Sequence, residues 1–505
     1  MTEHVLGAGA ASSVVGSRPI RFVHDGGIRS VEGIPSTTTV LAWLREQQAR
    51  TGTKEGCNEG DCGACTVLVG RLAGSRDDPG GRWVELSAVN SCLAYLPTLD
   101  GAALLTVEDL GGDHPAQQAL VAEHGSQCGF CTPGFVMSMA ATHQRARRTG
   151  VTPTHAQIED DLAGNLCRCT GYRPILAAAH RMLDDPAPGI DTAPLVPLLE
   201  QLESDPPLHY GGPPAFHAPR TVADLAATLA AHPDATLLAG GTDVGIWTNK
   251  HGRALAGIVW LGAVPELASV EDGPDGLHIG AGVSLEDGWA ALTQRWPQLY
   301  EMGSRFASRP VREAGTLVGN LANGSPIGDT APVLIALDAS LVLHRAGEER
   351  TVPLESFYLD YMRTDLRPGE LVRCVVVPPP DPDLRLRAYK VAKRYDSDIS
   401  AVSAGLALRV RDGAVADARF AFGGMAATVR RAARAERAVV GRPWTEETVH
   451  DAQVALADDF VPMTDLRASA GYRARGAAAL LERFWLETRE VDPVPESALS
   501  VWGAS

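Results

Sequence analysis

The stretch Gly56-Cys57-Asn58-Glu59-Gly60-Asp61-Cys62-Gly63-Ala64-Cys65 places three cysteines as Cys-x4-Cys-x2-Cys, and Cys92 completes a quartet after twenty-six further residues. Thiolates spaced in this way reach two adjacent metal ions from one tight loop. The interspersed glycines let the backbone curl so that amide N–H groups point at sulfur.

The spacing is that of plant-type [2Fe-2S] ferredoxins; the competing account is a zinc site or buried free thiols. Around it, residues 19–110 read as short β-branched runs broken by glycine, such as Ile20-Arg21-Phe22-Val23 and Thr66-Val67-Leu68-Val69, with one helical stretch over 39–48. This predicts a small α+β domain.

A second quartet follows in a different setting. Cys128-x2-Cys131 and, thirty-five residues later, Cys167-x-Cys169 fall at the ends of helices predicted over 135–147, 155–165 and 174–183. Four thiolates converging between helices hold either a second cluster or structural zinc, because Cys-x2-Cys with a distant pair is also a zinc pattern. Cys374 stands alone in the strand-like run 371–377 and reads as a small buried hydrophobe.

Residues 184–219 are dense in proline, which denies donors to helices and sheets and predicts an extended interdomain linker. Beyond it, Thr221-Val222-Ala223-Asp224 opens a helix, Thr236 to Ala239 reads as a strand ending in Gly240-Gly241, and alternating strands and helices run to about 336. The last segment combines strand-like runs at 372–377, 404–410 and 419–422 with amphipathic helices near 430–440 and 469–487.

The chain has 505 residues and a formal charge of −16. That length holds three or four domains, and the dispersed acidity offers no basic stripe for nucleic acid. No apolar run is long enough to span a membrane, and Met1 to Ser17 lacks the features of a secretory signal, so a cytoplasmic protein is expected. The tight cysteine pairings favour metal ligation over disulfides.

Two differently spaced cysteine quartets, ferredoxin-like first and helical second, resemble the N-terminal part of the xanthine oxidase family of molybdenum hydroxylases. The phrases Gln127-Cys128-Gly129-Phe130-Cys131-Thr132-Pro133-Gly134 and Asn165-Leu166-Cys167-Arg168-Cys169-Thr170-Gly171-Tyr172 look like that family's second-cluster loops. Two later segments, Leu237-Leu238-Ala239-Gly240-Gly241-Thr242-Asp243-Val244 and the small-residue stretch from Gly315 to Asp329, resemble its FAD-binding domain, which has a vanillyl-alcohol-oxidase-type fold and no Rossmann glycine motif.

The resemblance implies a multidomain α+β chain. Its parts are a plant-type ferredoxin-like [2Fe-2S] domain (18–110), a helical [2Fe-2S] domain (111–185), a linker (186–215), an FAD-binding domain (216–385) and an α+β C-terminal flavoprotein domain (386–490). It implies Cys57, Cys62, Cys65 and Cys92 as ligands of one cluster, nearer the flavin. Cys128, Cys131, Cys167 and Cys169 would hold the other, with Gln127 and Cys169 facing molybdopterin. Leu237, Leu238, Ala239, Gly240, Gly241, Thr242, Asp243 and Val244, with Thr316, Leu317, Val318, Gly319 and Asn320, would hold FAD phosphates and ribityl. Phe306 would lie beside the flavin ring, and Asp329, Val372 and Lys390 would complete the site. Val318 stands where glycine is frequent and Val372 where leucine is usual. The stretch 390–400 resembles the flavin-side loop that influences NAD access; its plainer alternative is a solvated charged loop.

The implied activity is electron transfer. A molybdopterin-binding large subunit, expected in an α2β2 heterotetramer, would oxidise hypoxanthine or xanthine to urate. This chain would pass the electrons through two [2Fe-2S] clusters to FAD and then NAD, with no residue of its own for hydroxylation. The order cluster-then-FAD in one chain is the xanthine dehydrogenase arrangement. Alternatives are the equivalent subunit of a hydroxylase acting on aldehydes or aromatic heterocycles with another acceptor, and a zinc-binding scaffold.

Overall fold

The structure, a computed structural model, describes residues 16–75, 81–495 and 498–499. The expectation about a leader in residues 1–17 therefore falls almost wholly outside the described residues.

The ferredoxin-like unit is one sheet of β1 (Ile20–His24), β2 (Gly27–Val31), β3 (Thr66–Ala73), β4 (Trp83–Asn90) and β5 (Ala103–Leu105), in the order β2-β1-β5-β3-β4. Asp25 and Gly26, at φ 53° and 65°, close the β1–β2 hairpin. Two successive positive φ values suit the right-handed twist of the flanking strands. Because β3 and β4 pair from Thr66 opposite Asn90, Cys65 just before β3 and Cys92 just after β4 emerge at the same end of the sheet. Register alone thus brings the fourth cysteine to the loop that carries the other three.

The helical unit is built from α1 (Pro115–Ala122), α2 (Thr132–Thr149), α3 (His155–Leu162) and α4 (Arg173–Asp184). The side chain of His114 accepts from Ala116 N at 3.1 Å at the start of α1. Thr154 and Gln157 form a reciprocal cap on α3, and Gly150, at φ 70°, ends α2. Helix α3 stops at Leu162, short of the predicted 165. Gly164 lies against Ser308, and a Cβ there would sit 2.5 Å from the Ser308 Cβ.

The proline-rich stretch is not bare extended chain. It contains α5 (Leu195–Glu203), which buries Leu199 and Leu202 on the helical core. Arg82 pairs with Glu203 and Arg21 with Asp205 at its end. Pro194 and Pro197 are tolerated because they fall before and within the first turn, where backbone N–H groups have no intrahelical partner.

The next unit has two sheets. The parallel core β7 (Ala215–Ala218), β8 (Thr236–Leu238) and β9 (Gly257–Trp260), edged by β6 (Leu208–Tyr210), runs β6-β7-β9-β8. Helices α6 (Val222–Ala231) and α7 (Val244–Asn249) belong to it. The second sheet contains β10 (Val270–Gly273), β11 (Gly276–Gly280), β12 (Ser340–Arg345), β13 (Glu348–Pro353) and β14 (Leu371–Val377), in the order β10-β11-β14-β12-β13. Between them run α8 (Leu285–Arg295), α9 (Arg309–Ala314), α10 (Leu317–Ala322) and α11 (Thr330–Ala336). The run 372–377, grouped by its sequence with the last segment, is the central strand here. Local pattern does not reveal which sheet a strand joins.

The last unit packs the sheet β15 (Leu384–Val391), β16 (Val402–Arg411), β17 (Ala414–Gly423) and β18 (Arg430–Arg431) against α12 (Ala433–Val439), α13 (Glu446–Leu456) and α14 (Ala470–Thr488). Arg430 and Arg431 pair with Phe422 and Ala421, so the helix expected from 430 begins at 433. Among the described residues no helix is long and apolar enough to cross a membrane.

His114 and His143 meet edge to face inside the helical core, with ring centroids 5.3 Å apart. Burial drives the pKa of His114 down to about 4 and lowers that of His143. A histidine held neutral in the fold contributes stability that is complete above its unfolded value near 6.5 and is lost as pH falls through the folded value. Stability of the helical unit is expected to fall from pH 6.5 toward 4. His114→Asn, which keeps a cap acceptor without the titrating ring, should make that slope shallower. Thermal melts across this pH range, followed by α-helical circular dichroism, test it.

Candidate functional site

The eight predicted ligand cysteines form two quartets, each resolved into two pairs. In the first, Cys57 N donates to the Cys62 sulfur and both Asp61 N and Cys62 N donate to the Cys57 sulfur, all at 3.3 Å. A hydrogen bond from Cys62, with these amides, draws the Cys57 thiol down to about 5 while Cys62 is pushed up. Cys65 and Cys92 form the second pair: Cys92 donates and lowers the Cys65 thiol, and its own is raised. In the helical quartet Cys128 pairs with Cys169 and Cys131 with Cys167.

Among the described residues no three of His, Cys, Asp and Glu converge so as to hold one metal ion. Two thiolates for each of two irons is the donor set of a binuclear cluster, whereas tetrahedral zinc needs four thiolates around one centre. The residues present fit [2Fe-2S] groups in both places, with amides already turned toward sulfur in the first.

The two cluster loops are locked together. Asn165 Nδ2 donates to Gly63 O at 3.0 Å and to Thr66 Oγ1 at 3.2 Å, and Asn165 Oδ1 accepts from Ser138 Oγ at 2.7 Å. Leu166 N donates to Cys62 O at 3.0 Å. A Cβ on Gly134 would lie 2.2 Å from Gly63 O, and one on Gly63 2.3 Å from Gly164 O. Only glycine permits this approach.

The first cluster loop also touches the third unit. Asn249 Nδ2, at the end of α7, donates to Cys92 O at 2.7 Å and to Asn58 Oδ1 at 3.3 Å. Tyr95 Oη bonds Thr248 Oγ1 at 2.8 Å and Val244 O at 3.2 Å. A Cβ on Gly245 would lie 2.9 Å from Leu93 O. The helical quartet is placed differently: Cys128 and Cys169 are exposed, beside exposed Gln127, Phe130, Leu166 and Tyr172.

The two flavin segments, some seventy residues apart in sequence, are adjacent in space. A Cβ on Gly240 would sit 1.9 Å from Ala314 O, and Asn323 Nδ2 donates to Asp243 Oδ2 at 3.1 Å. Thr316 caps α10 through Gly319 N at 3.0 Å, and Asn320 Oδ1 is buried with no partner. Such an orphaned acceptor beside a glycine-lined main chain fits an absent polar ligand such as FAD. Leu238, Leu317, Val318 and Val372 point into hydrophobic cores, so they offer a ligand main-chain atoms at most. Leu237, Ala239, Gly241, Thr242 and Val244 continue the turn from β8 into α7.

Lys390 is buried against Asp329 and also donates to Ser400 Oγ at 3.1 Å; Ser400 Oγ donates to Asp329 Oδ1 at 2.6 Å. Phe306 packs beside Trp289, with centroids 6.3 Å apart. Its loop is held by Arg312, whose Nη1 faces the carbonyls of Ser304, Phe306 and Ala307. Cys374 is half-buried opposite Gly280 in β14, where burial lifts its thiol to about 11; it touches neither quartet. Asn165, Asn249, Ser400 and Arg312 were not singled out by sequence.

Family comparison matches the whole order of parts. Residues 22–97 match the 2Fe-2S iron-sulfur cluster binding domain and 106–180 a [2Fe-2S] binding domain. Residues 210–380 match the FAD binding domain in molybdopterin dehydrogenase, and 387–488 the CO dehydrogenase flavoprotein C-terminal domain. The chain therefore has the iron-sulfur and flavin domain set of the molybdenum hydroxylases of the xanthine oxidase family.

Among individual proteins, xanthine dehydrogenase/oxidase of Mus musculus is 33% identical over 479 residues, covering 84% of this chain and 35% of the mouse protein. Aldehyde oxidase 2 of Cavia porcellus is 30% identical over 539 residues, covering 94% of this chain and 40% of its own length. The chain thus spans little more than a third of these relatives. Carbon monoxide dehydrogenase from Hydrogenophaga pseudoflava aligns with a TM-score of 0.51 at 29% identity, over 53% of this chain and 94% of that one. Quinoline 2-oxidoreductase from Pseudomonas putida 86 aligns at 0.51 and 25%, over 55% and 98%.

Cys169→Ala is expected to cut iron from about four atoms per chain to about two and to leave the spectrum of the buried cluster. Iron analysis and electron paramagnetic resonance check this. Gly240→Ala forces a Cβ onto the Ala314 carbonyl, costs about 1–3 kcal/mol and should strip FAD from the protein, read as flavin-to-protein ratio.

Proposed function

We propose that this chain is the iron-sulfur and FAD subunit of a xanthine dehydrogenase, carrying electrons from a cytoplasmic molybdopterin-binding partner to NAD. The observation that carries it is the asymmetry of the two quartets. One is sealed against the α7 helix of the flavin unit by Asn249 and Tyr95. The other shows Cys128 and Cys169 at the surface beside Phe130, Leu166 and Tyr172. That is what a relay needs, with one terminus at its acceptor and one facing a donor outside the chain.

The clusters, when bound, supply one-electron carriers, and the flavin supplies the junction between one-electron transfer and hydride transfer. The chain's residues do the rest. Cys57, Cys62, Cys65 and Cys92 hold one cluster, and Cys128, Cys131, Cys167 and Cys169 the other. Amide donors at Asp61 and Cys62 stabilise charge on sulfur. The main chain of 237–244 and 316–320 would receive the FAD phosphates and ribityl, with Gly240 letting the two segments pack closely at the Ala314 carbonyl. Phe306 walls the ring, and the Asp329–Lys390–Ser400 group supplies fixed polar contacts without net charge.

The similarity to xanthine dehydrogenases supports a purine-oxidising partner in an α2β2 assembly. The match to aldehyde oxidase 2 over 94% of this chain favours a second reading, the same electron-carrying role beside a partner that oxidises aldehydes or heterocycles. The complex isolated with its natural partner and supplied anaerobically with xanthine and NAD should form NADH. Flavin bleached without NADH discards NAD as acceptor. No bleaching by xanthine, with bleaching by an aldehyde or quinoline, selects the second reading.

A further inference from the structure

Arg312 on α9 is almost wholly buried, with 3% of its side chain exposed, and each of its three nitrogens has an acceptor. Nε donates to Glu286 at 2.7 Å and Nη2 to Asp160, at the end of α3 in the helical iron-sulfur unit, at 2.7 Å. Nη1 faces three carbonyls of one short segment, Ser304 at 3.1 Å, Phe306 at 3.3 Å and Ala307 at 3.1 Å. Ala307 has a φ of 49°, a left-handed conformation that a residue with a Cβ holds only when its surroundings enforce it.

The same segment is pressed from the helical unit. Gly164, four residues beyond Asp160 and three before Cys167, packs on Ser308. We propose that Arg312, with Asp160 as its counter-ion, is a positioning residue for the flavin: it shapes the segment carrying Phe306, and it does so only when the helical iron-sulfur unit is seated. This rests on the flavin assignment proposed above.

The electrostatics explain why both residues are needed. Glu286 is shared with Arg309, at 3.1 Å, so without Asp160 the buried guanidinium is left undercompensated. It then turns toward water or another acid and releases the carbonyls. Asp161, the neighbouring acid, is already engaged by Thr142, Arg145 and Arg309 and cannot replace it.

The test uses the full chain loaded with clusters and FAD. Asp160→Ala removes the counter-ion. Arg312→Lys keeps a cation for Asp160 and Glu286 but cannot span the three carbonyls. Ser87→Ala is the control, breaking the 3.1 Å bond between the ferredoxin-like sheet and Glu313 on α9 without touching Arg312.

Asp160→Ala and Arg312→Lys should each weaken FAD binding by about tenfold or more and change the visible circular dichroism of the flavin, with iron content unchanged. Ser87→Ala should do neither. Flavin affinity within about twofold of wild type and an unaltered spectrum in both variants, with clusters intact, overturns the proposal. An equal flavin change in Ser87→Ala also overturns it, since general loosening between units would then suffice. If Asp160→Ala loses its iron, Arg312→Lys decides by the same readouts. A wild-type chain that binds no FAD overturns the flavin assignment and this inference with it; FAD held equally by all three variants overturns this inference alone.

Discussion

The Gly63 carbonyl, accepting from Asn165 and enclosed by Gly134 and Gly164, is the contact on which the arrangement of the redox groups depends. It brings the backbone of the first cysteine loop onto that of the second with no side chain between them. Leu166 N and Cys62 O add a hydrogen bond between a cysteine of the first quartet and the residue before Cys167 of the second. Burial of these polar groups makes the lock exacting, because an amide left unpaired there costs about 1–3 kcal/mol.

From this lock the rest of the chain is built outward in both directions. Toward the flavin unit, contacts pass through Cys92, Leu93 and Tyr95 to α7, the helix that follows the Gly240-Gly241 turn. A second boundary runs through ions. Asp160 and Asp161 of α3 meet Arg309 and Arg312 of α9, with Glu286 between them. Burial lifts the Asp160 carboxyl to about 6 even beside Arg312. Such a junction adds little net stability compared with apolar packing, but its shared pairs tie α3, α8 and α9 together. The helical unit is therefore attached by a glycine-lined main-chain contact at one point and by paired charges at another.

Much of the candidate site was legible from residue types. The cysteine spacings marked two quartets because metal chemistry restricts both residue type and reach, and the structure brings each quartet together in pairs. The glycine turn and small-residue segment stood out by residue type, and the structure packs them against each other at Gly240 and Ala314. The sequence could not show that the cysteines act two by two, since the pairing of Cys65 with Cys92 depends on the β3–β4 register. Nor could it show the helix within the proline-rich stretch, where Pro194 and Pro197 are harmless only because they fall before and within the first turn. The strand 371–377 was recognised, and the resemblance put it in the flavin unit, but its local pattern did not reveal its sheet.

What the sequence determined by itself is the inventory: eight cysteines in two spacings, two glycine-rich segments, and an acidic chain without an apolar run long enough to span a membrane. These are properties of composition and local spacing, and they survive in any arrangement of the parts. Tertiary structure decided which groups face one another. It placed one quartet against the flavin unit and the other at the surface, gathered Asp329, Lys390 and Ser400 from two units, and set Asp160 against Arg312 across 152 residues of chain. Long-range neighbours are fixed by packing and charge compensation between units, and neither leaves a periodic trace in the local sequence.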